Sequence, residues 1–258
     1  MAPEASLLRV PNDIPASYAA TMAGDLATAY RLLRDFTTLK KGDVIIQNDA
    51  GSSIGLAVVQ IAREMGIKTV NVISSSRPEG SQLLRLLTNL GGDINVTDAH
   101  VNSHGLNEIL SELPPCKLAL DGTGGEVVTH MSRCLAPQGT IVSYEGGSDK
   151  QAIVVPPEFL ESPKSLSMKK FSMRAWYSAK SPVDRAIMLS EIAHMIRCKT
   201  LTAFHEVHDF DDIGYALEKA MEPNSIRKVI LNLNFPDRLL EHDKLPKESF
   251  SVFETTTV

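Results

Sequence analysis

Apolar and polar residues alternate in blocks along the middle of the chain. Residues 44–46 form a short apolar run of strand length, and a turn of small residues follows. Ile54, Val58 and Ile61 then recur at helical spacing, and Gly66 provides a stop. The pattern predicts a strand, a tight turn and a helix.

Blocks of the same kind recur downstream. Helices are predicted at 17–36, 82–90, 106–113 and 126–135, and strands at 68–73, 93–96, 117–120 and 139–143. Parallel strands need crossover connections of about this length. We therefore predict an α/β fold with a doubly wound parallel sheet of the Rossmann type.

The C-terminal third has a looser pattern. It predicts a strand at 168–177, an amphipathic helix at 182–197, a strand at 204–209, a helix at 211–221 capped by Asp211 or Asp212, and a strand at 228–233. We divide the chain into an arm at 1–15, a Rossmann domain at 16–200, a C-terminal part of a second domain at 201–234, and a polar tail at 235–258.

The turn after the first strand is a partial nucleotide-binding fingerprint. Laid over G-x-G-x-x-G, residues 50–55 (AGSSIG) keep only the last glycine, although the substitutes Ala50 and Ser52 are small. Small residues let a diphosphate approach the backbone N–H groups at a helix N-terminus. The turn is either such a site or an ordinary strand-to-helix connection.

Other strand ends strengthen the first interpretation. The second strand ends in SSSR at 74–77, and hydroxyls with an arginine favour NADP over NAD, unless this is only a solvated polar loop. Glycine-rich loops at 122–125 and 144–147 follow two further strands. Because the carboxyl ends of parallel strands share one edge, all four loops should meet there.

Composition excludes several functions. The 258 residues carry a net charge of −5 with a pI near 5.8, which argues against a nucleic-acid partner. No apolar run approaches the roughly 20 residues of a membrane span. Three dispersed cysteines argue against a disulfide framework and lack metal-ligand spacing.

Tyr215 and Lys219 have the Tyr-x-x-x-Lys spacing of short-chain dehydrogenases, but we expect Tyr215 to face the core and Lys219 to be solvated.

The chain resembles the mitochondrial trans-2-enoyl-thioester reductases of the medium-chain dehydrogenase/reductase superfamily, over nearly all of residues 8–233. The resemblance rests on VPNDIP at 10–15, AAT at 19–21, TAYR at 28–31, DF at 35–36, GD at 42–43, IQN at 46–48, QIA at 60–62, NV at 71–72, LAL at 118–120 and GG at 124–125. It implies NADPH-dependent reduction of enoyl-CoA or enoyl-acyl carrier protein in mitochondrial fatty acid synthesis. It also implies a homodimer in mitochondria, although the chain shows no transit peptide.

The resemblance also implies a set of cofactor-binding residues. These are Asp25, Gly51, Ser52, Ser53, Ile54, Ser75, Ser76, Arg77, Tyr144, Gly146, Gly147, Ala175, Trp176, Tyr177 and Arg227. The first turn would hold the pyrophosphate, residues 75–77 the 2′-phosphate, and residues 175–177 the nicotinamide end. The family usually has Asn at the position of Asp25 and an Arg-Asp-Arg-like run at 75–77, and it has no counterpart of Glu145.

We expect the chain to lack most of the family's GroES-like catalytic domain, which precedes residue 8 and supplies the tyrosine thought to bind the thioester carbonyl. No catalytic residue and no metal ligand is therefore assigned to this chain. The alternatives are a shortened, catalytically inactive protein that binds NADPH or a partner, and a quinone-type reductase.

Overall fold

Six parallel strands form the central sheet of the computed structural model, which describes residues 9–77, 79–101, 103–144, 155–222 and 225–233. The strands are β1 (Val44–Gln47), β2 (Lys68–Ile73), β3 (Ile94–Thr97), β4 (Cys116–Asp121), β5 (Leu135–Tyr144) and β6 (Ser167–Phe171). Their spatial order is β3-β2-β1-β4-β5-β6, and every pairing is parallel. This is the Rossmann order, so the predicted fold class is confirmed.

Helices cover both faces of this sheet. They are α1 (Ala16–Thr21), α2 (Ala27–Leu32), α3 (Ser53–Glu64), α4 (Gly80–Leu90), α5 (His104–Ser111), α6 (Glu126–Cys134), α7 (Pro157–Leu160), α8 (Met173–Ala179) and α9 (Pro182–Arg197). Along β1, Ile45 packs in one core cluster with α9, whereas Val44 and Ile46 pack in another with α5 and α6. Burial on both faces explains why the strand is an uninterrupted apolar run.

A separate two-stranded parallel sheet follows α9. It consists of β7 (His205–Asp209) and β8 (Lys228–Asn232), joined through α10 (Ile213–Ala220). Leu217 and Met221 are 55% and 81% exposed at this unit. The division into domains stays a prediction, and the predicted tail at 235–258 lies outside the described residues.

The predicted strand at 168–177 is wrong in its second half. Strand β6 ends at Phe171, and the Ser172 side chain accepts a hydrogen bond from the Ala175 N–H as the N-cap of α8. Met173, Trp176 and Tyr177 have the i, i+3, i+4 spacing of one helix face, which the strand interpretation overlooked.

Three smaller expectations also need correction. The predicted helix at 17–36 is interrupted by a π-helical segment, Met22–Leu26. Asp212 occupies the N-cap position of α10, but neither it nor Asp211 caps the helix with its side chain. Tyr215 is 53% exposed and does not face the core, because α10 has only a two-stranded sheet to pack against.

Among the described residues, no helix combines the length and apolarity needed to cross a membrane. The same part of the chain contains no group of three or more His, Cys, Asp or Glu side chains that could hold a metal ion.

Candidate dinucleotide-binding site

The turn between β1 and α3 is tightly closed. Ser52 caps α3, and its hydroxyl accepts a hydrogen bond of 3.1 Å from the Gly55 N–H. A Cβ on Gly55 would lie 2.6 Å from both the Ala50 Cα and the Asp49 carbonyl oxygen, so only glycine fits there. The Ser53 and Ile54 N–H groups belong to the first turn of α3, where helical geometry supplies no backbone acceptor. This turn has the shape and polarity of a phosphate site.

Arg77 lies directly over this turn. A Cβ on Gly51 would collide with the Arg77 guanidinium and with Leu83, so the loop after β2 contacts the glycine turn. Burial lowers the pKa of Arg77, and the carboxylates of Asp49 and Glu79 act in the opposite direction. The predicted meeting of these two strand-end loops is therefore confirmed.

A buried hydrogen-bond network joins the ends of β1 and β4. The Asn48 amide donates to Asp121 Oδ1 over 2.8 Å, and its own oxygen accepts from the Gly122 N–H over 2.6 Å. Asp121 Oδ1 also accepts from the N–H groups of Thr123 and Gly124. Both side chains are almost fully buried, so the network fixes the glycine-rich loop at 122–125 relative to the first turn.

Tyr144 ends β5 and lies against the glycine-rich loop at 122–125. Its side chain is fully buried, and a Cβ on Gly122 would lie 2.6 Å from its hydroxyl oxygen. Burial raises the pKa of Tyr144 well above its ordinary value, the nearby carboxylates of Asp49 and Asp121 raise it further, and a hydrogen bond with Ser52 opposes them. The neutral Tyr144 phenol therefore packs between the turn that precedes α3 and the loop at 122–125.

Asp25 lies in the π-helical segment, a conformation that is frequent at functional sites. Its carboxylate accepts a hydrogen bond from the Ser53 hydroxyl and pairs with Lys228 Nζ at 3.1 Å. The predicted Asp25 is thus brought to the N-terminus of α3. The basic residue that pairs with Asp25 is Lys228, which was not predicted from the sequence. The predicted Arg227 precedes β8, and its N–H donates to the Ser225 hydroxyl.

Asp98 is a second residue that sequence reasoning missed. It follows β3, and its Oδ1 accepts from the Ser75 N–H over 2.8 Å. Asp98 could have been found by the strand-end rule that identified the other loops, because it lies two residues after the predicted parallel strand at 93–96.

The predicted nicotinamide end lies on α8. Trp176 is buried beneath the Arg31 guanidinium, 4.7 Å from the ring centroid, and the Tyr177 hydroxyl donates to the Ala23 carbonyl over 3.0 Å. Burial raises the pKa of Tyr177 to about 12. Phe171 pairs in register with Tyr144 and ends β6 at the edge of the sheet, whereas residues 175–177 follow in α8. Gly146 and Gly147 lie outside the described residues.

No protein-family model matches the chain. The mitochondrial enoyl-[acyl-carrier-protein] reductase of Dictyostelium discoideum is 36% identical over 230 residues, which make up 89% of this chain. The chain spans 65% of that protein's length.

Solved structures share the fold. The complex of Etr1p with NADP and crotonyl-CoA aligns with a TM-score of 0.71 at 22% identity, over 79% of this chain and 58% of its own. Etr1p of Candida tropicalis has also been solved in a heterodimer with Etr2p. A putative NADPH:quinone reductase from Bacillus thuringiensis aligns with a TM-score of 0.75 at 19% identity, over 90% of this chain and 69% of its own. The sequence comparison confirms the predicted resemblance: over 89% of its length, this chain is homologous to the mitochondrial enoyl-[acyl-carrier-protein] reductases.

Proposed function

We propose that the carboxyl edge of the sheet binds NADPH. The single observation that carries this proposal is the convergence of Arg77, Asp25 and Lys228 on the turn that begins α3. A diphosphate would accept hydrogen bonds from the N–H groups of Ser53 and Ile54, and the side chains of Arg77 and Lys228 would place two positive charges beside it. The carboxylate of Asp25 is already paired with Lys228, which reduces its repulsion of a phosphate. The residues at this turn therefore fit the diphosphate of the cofactor.

We further propose that the protein reduces the double bond of trans-2-enoyl thioesters. NADPH would supply the hydride, and the protein would bind, orient and desolvate the reactants. The homology to enoyl-[acyl-carrier-protein] reductases supports this reaction class. Trp176, Tyr177 and Ala175 remain predicted contacts of the nicotinamide end, as do Gly146 and Gly147.

The thioester carrier would be CoA or acyl carrier protein, and the assembly a homodimer in mitochondria. The mitochondrial names of the homologues support the location. The complex of Etr1p with crotonyl-CoA, and its occurrence in a heterodimer, support a CoA thioester substrate and a dimer.

The test is a pair of measurements on the purified 258-residue chain. NADPH is titrated against it by fluorescence, and consumption of NADPH is then followed with crotonyl-CoA, with crotonyl-acyl carrier protein and with a quinone. Arg77→Gln should weaken NADPH binding, whereas the matched control Arg85→Gln, on the exposed face of α4, should not.

Saturable NADPH binding with reduction of a crotonyl thioester supports both proposals. Binding without reduction of any substrate contradicts the proposed reaction for this chain and favours an NADPH-binding protein. Reduction of the quinone alone favours a quinone reductase, and absence of binding refutes the site itself.

A further inference from the structure

A carboxylate occupies the loop that was predicted to hold the 2′-phosphate. Asp98 Oδ1 accepts a hydrogen bond from the Ser75 N–H over 2.8 Å, and the side chains of Ser74 and Ser75 also act to lower the pKa of this carboxylate. Partial burial acts to raise the pKa of Asp98, but these hydrogen bonds, together with one from the Ala99 N–H, hold it below its ordinary value. Asp98 is therefore ionised at neutral pH.

The donors that Asp98 engages are the ones a 2′-phosphate would need. An N–H or a hydroxyl carries one hydrogen to donate, so a bond to Asp98 is not available to a phosphate. The remaining polar groups of the turn are also engaged with one another, because the Ser76 N–H and hydroxyl both lie within hydrogen-bond distance of the Ser74 hydroxyl. The serines therefore already serve an anion that belongs to the protein.

The negative charge of Asp98 also disfavours a bound 2′-phosphate. A phosphate monoester carries about 1.5 to 2 negative charges at neutral pH, so a carboxylate held beside it repels it. NADH has a neutral hydroxyl at the same position and does not suffer this repulsion. The Arg77 guanidinium lies over Gly51, and the carboxylates that raise its pKa are those of Asp49 and Glu79.

We propose that Asp98 is a specificity-determining residue of the nucleotide site, which limits the preference for NADPH over NADH by engaging the serine donors and by placing a negative charge at the 2′ position. The inference rests on the proposed nucleotide binding and concerns only the discrimination between the two cofactors.

The experiment compares the dissociation constants of NADPH and NADH for the wild-type chain and Asp98→Asn. The asparagine keeps an oxygen that accepts from the Ser75 N–H and removes the charge. NADPH binding should tighten on the order of tenfold, the size of one like-charge pair near a protein surface. The dissociation constant of NADH should stay within about twofold, since no charged group of NADH is affected.

Asp93→Asn is the matched control. The Asp93 carboxylate accepts from the Thr69 N–H over 2.9 Å, so it makes the same kind of bond to β2, but at the opposite end of that strand. This variant should leave both dissociation constants unchanged. Asp98→Ser removes the charge with a shorter side chain and should shift the ratio of the two constants in the same direction as Asp98→Asn.

The outcomes separate this inference from the proposed function. If wild type binds both nucleotides and Asp98→Asn leaves their ratio unchanged, or weakens both equally, Asp98 is only a brace for the turn and the inference is overturned. If wild type binds neither nucleotide, the proposed function fails and the inference fails with it.

Discussion

Gly55 is the position where the dinucleotide turn tolerates least change. In Gly55→Ala the new methyl group would lie 2.6 Å from the Ala50 Cα and the Asp49 carbonyl oxygen, and 2.7 Å from the Ala50 carbonyl carbon. Ordinary carbon contacts are about 3.5–4.0 Å, so the overlap is about 1 Å. All three atoms are backbone, and they are fixed because the Ala50 N–H donates to the Val72 carbonyl over 3.1 Å.

The backbone must therefore move, and we expect Gly55→Ala to lower the free energy of unfolding by about 2–3 kcal/mol, near the upper end of the usual cost of overpacking. The same movement should misplace the N–H groups of Ser53 and Ile54 and weaken NADPH binding at least tenfold, because a misaligned hydrogen-bond set loses about 1.4 kcal/mol or more.

Urea unfolding followed by circular dichroism gives the stability, and fluorescence titration gives the affinity. Gly105→Ala is the control: Gly105 is also helical, but its Cβ would meet no atom within 4 Å. That variant should be more stable than wild type by about 0.5–1 kcal/mol, since alanine favours helix. A Gly55→Ala variant that matched Gly105→Ala in stability and bound NADPH as wild type does would refute the description of this turn.

Three further predictions follow from single side chains. Lys228→Met should weaken NADPH binding about tenfold in a fluorescence titration, because it removes a positive charge beside the phosphate and leaves the Asp25 carboxylate without its ion-pair partner. The melting temperature should change little, because the Lys228 side chain is 54% exposed. Unchanged affinity would remove Lys228 from the site. Asp121→Ala should cost about 3 kcal/mol in urea unfolding, because it leaves buried donors unpaired; a loss below about 1 kcal/mol would show that the network does not brace the loops. Burial raises the pKa of Cys116 from 9.0 to about 12, so the stability that its protonated thiol gives the folded state is present below pH 9 and is lost as the pH rises towards 12. The difference in unfolding free energy between wild type and Cys116→Ala should therefore shrink by about 1.4 kcal/mol per pH unit above 9, and a constant difference would contradict the shifted pKa.

The regular part of the fold could be predicted because its elements obey local rules. Strand β2 and helix α9 have the predicted bounds, since a buried parallel strand reads as an apolar run and Ser181 and Asp184 form a capping box at the start of α9. The segment at 168–177 was assigned to one strand because its apolar residues alternate, and the i, i+3, i+4 spacing of Met173, Trp176 and Tyr177 was overlooked. In the helix, Trp176 packs beneath the Arg31 guanidinium.

The candidate site was predictable only as far as strand ends could locate it. Gly51, Arg77 and Tyr144 were found because each follows or ends a strand at the carboxyl edge. Lys228 was missed because it begins a strand of a different sheet, and only the placement of that sheet beside α1 brings its ammonium group to Asp25. Neighbouring Arg227 is equally basic, and no local pattern distinguishes the two.

A crystal structure of the chain grown with saturating NADPH would show whether the nucleotide binds at the carboxyl edge of the sheet. The diphosphate should lie within hydrogen-bond distance of the N–H groups of Ser53 and Ile54, with the adenosine ribose beside the loop that contains Ser75 and Asp98. Nucleotide bound elsewhere, or no nucleotide at the carboxyl edge of the sheet at saturating concentration, would contradict it.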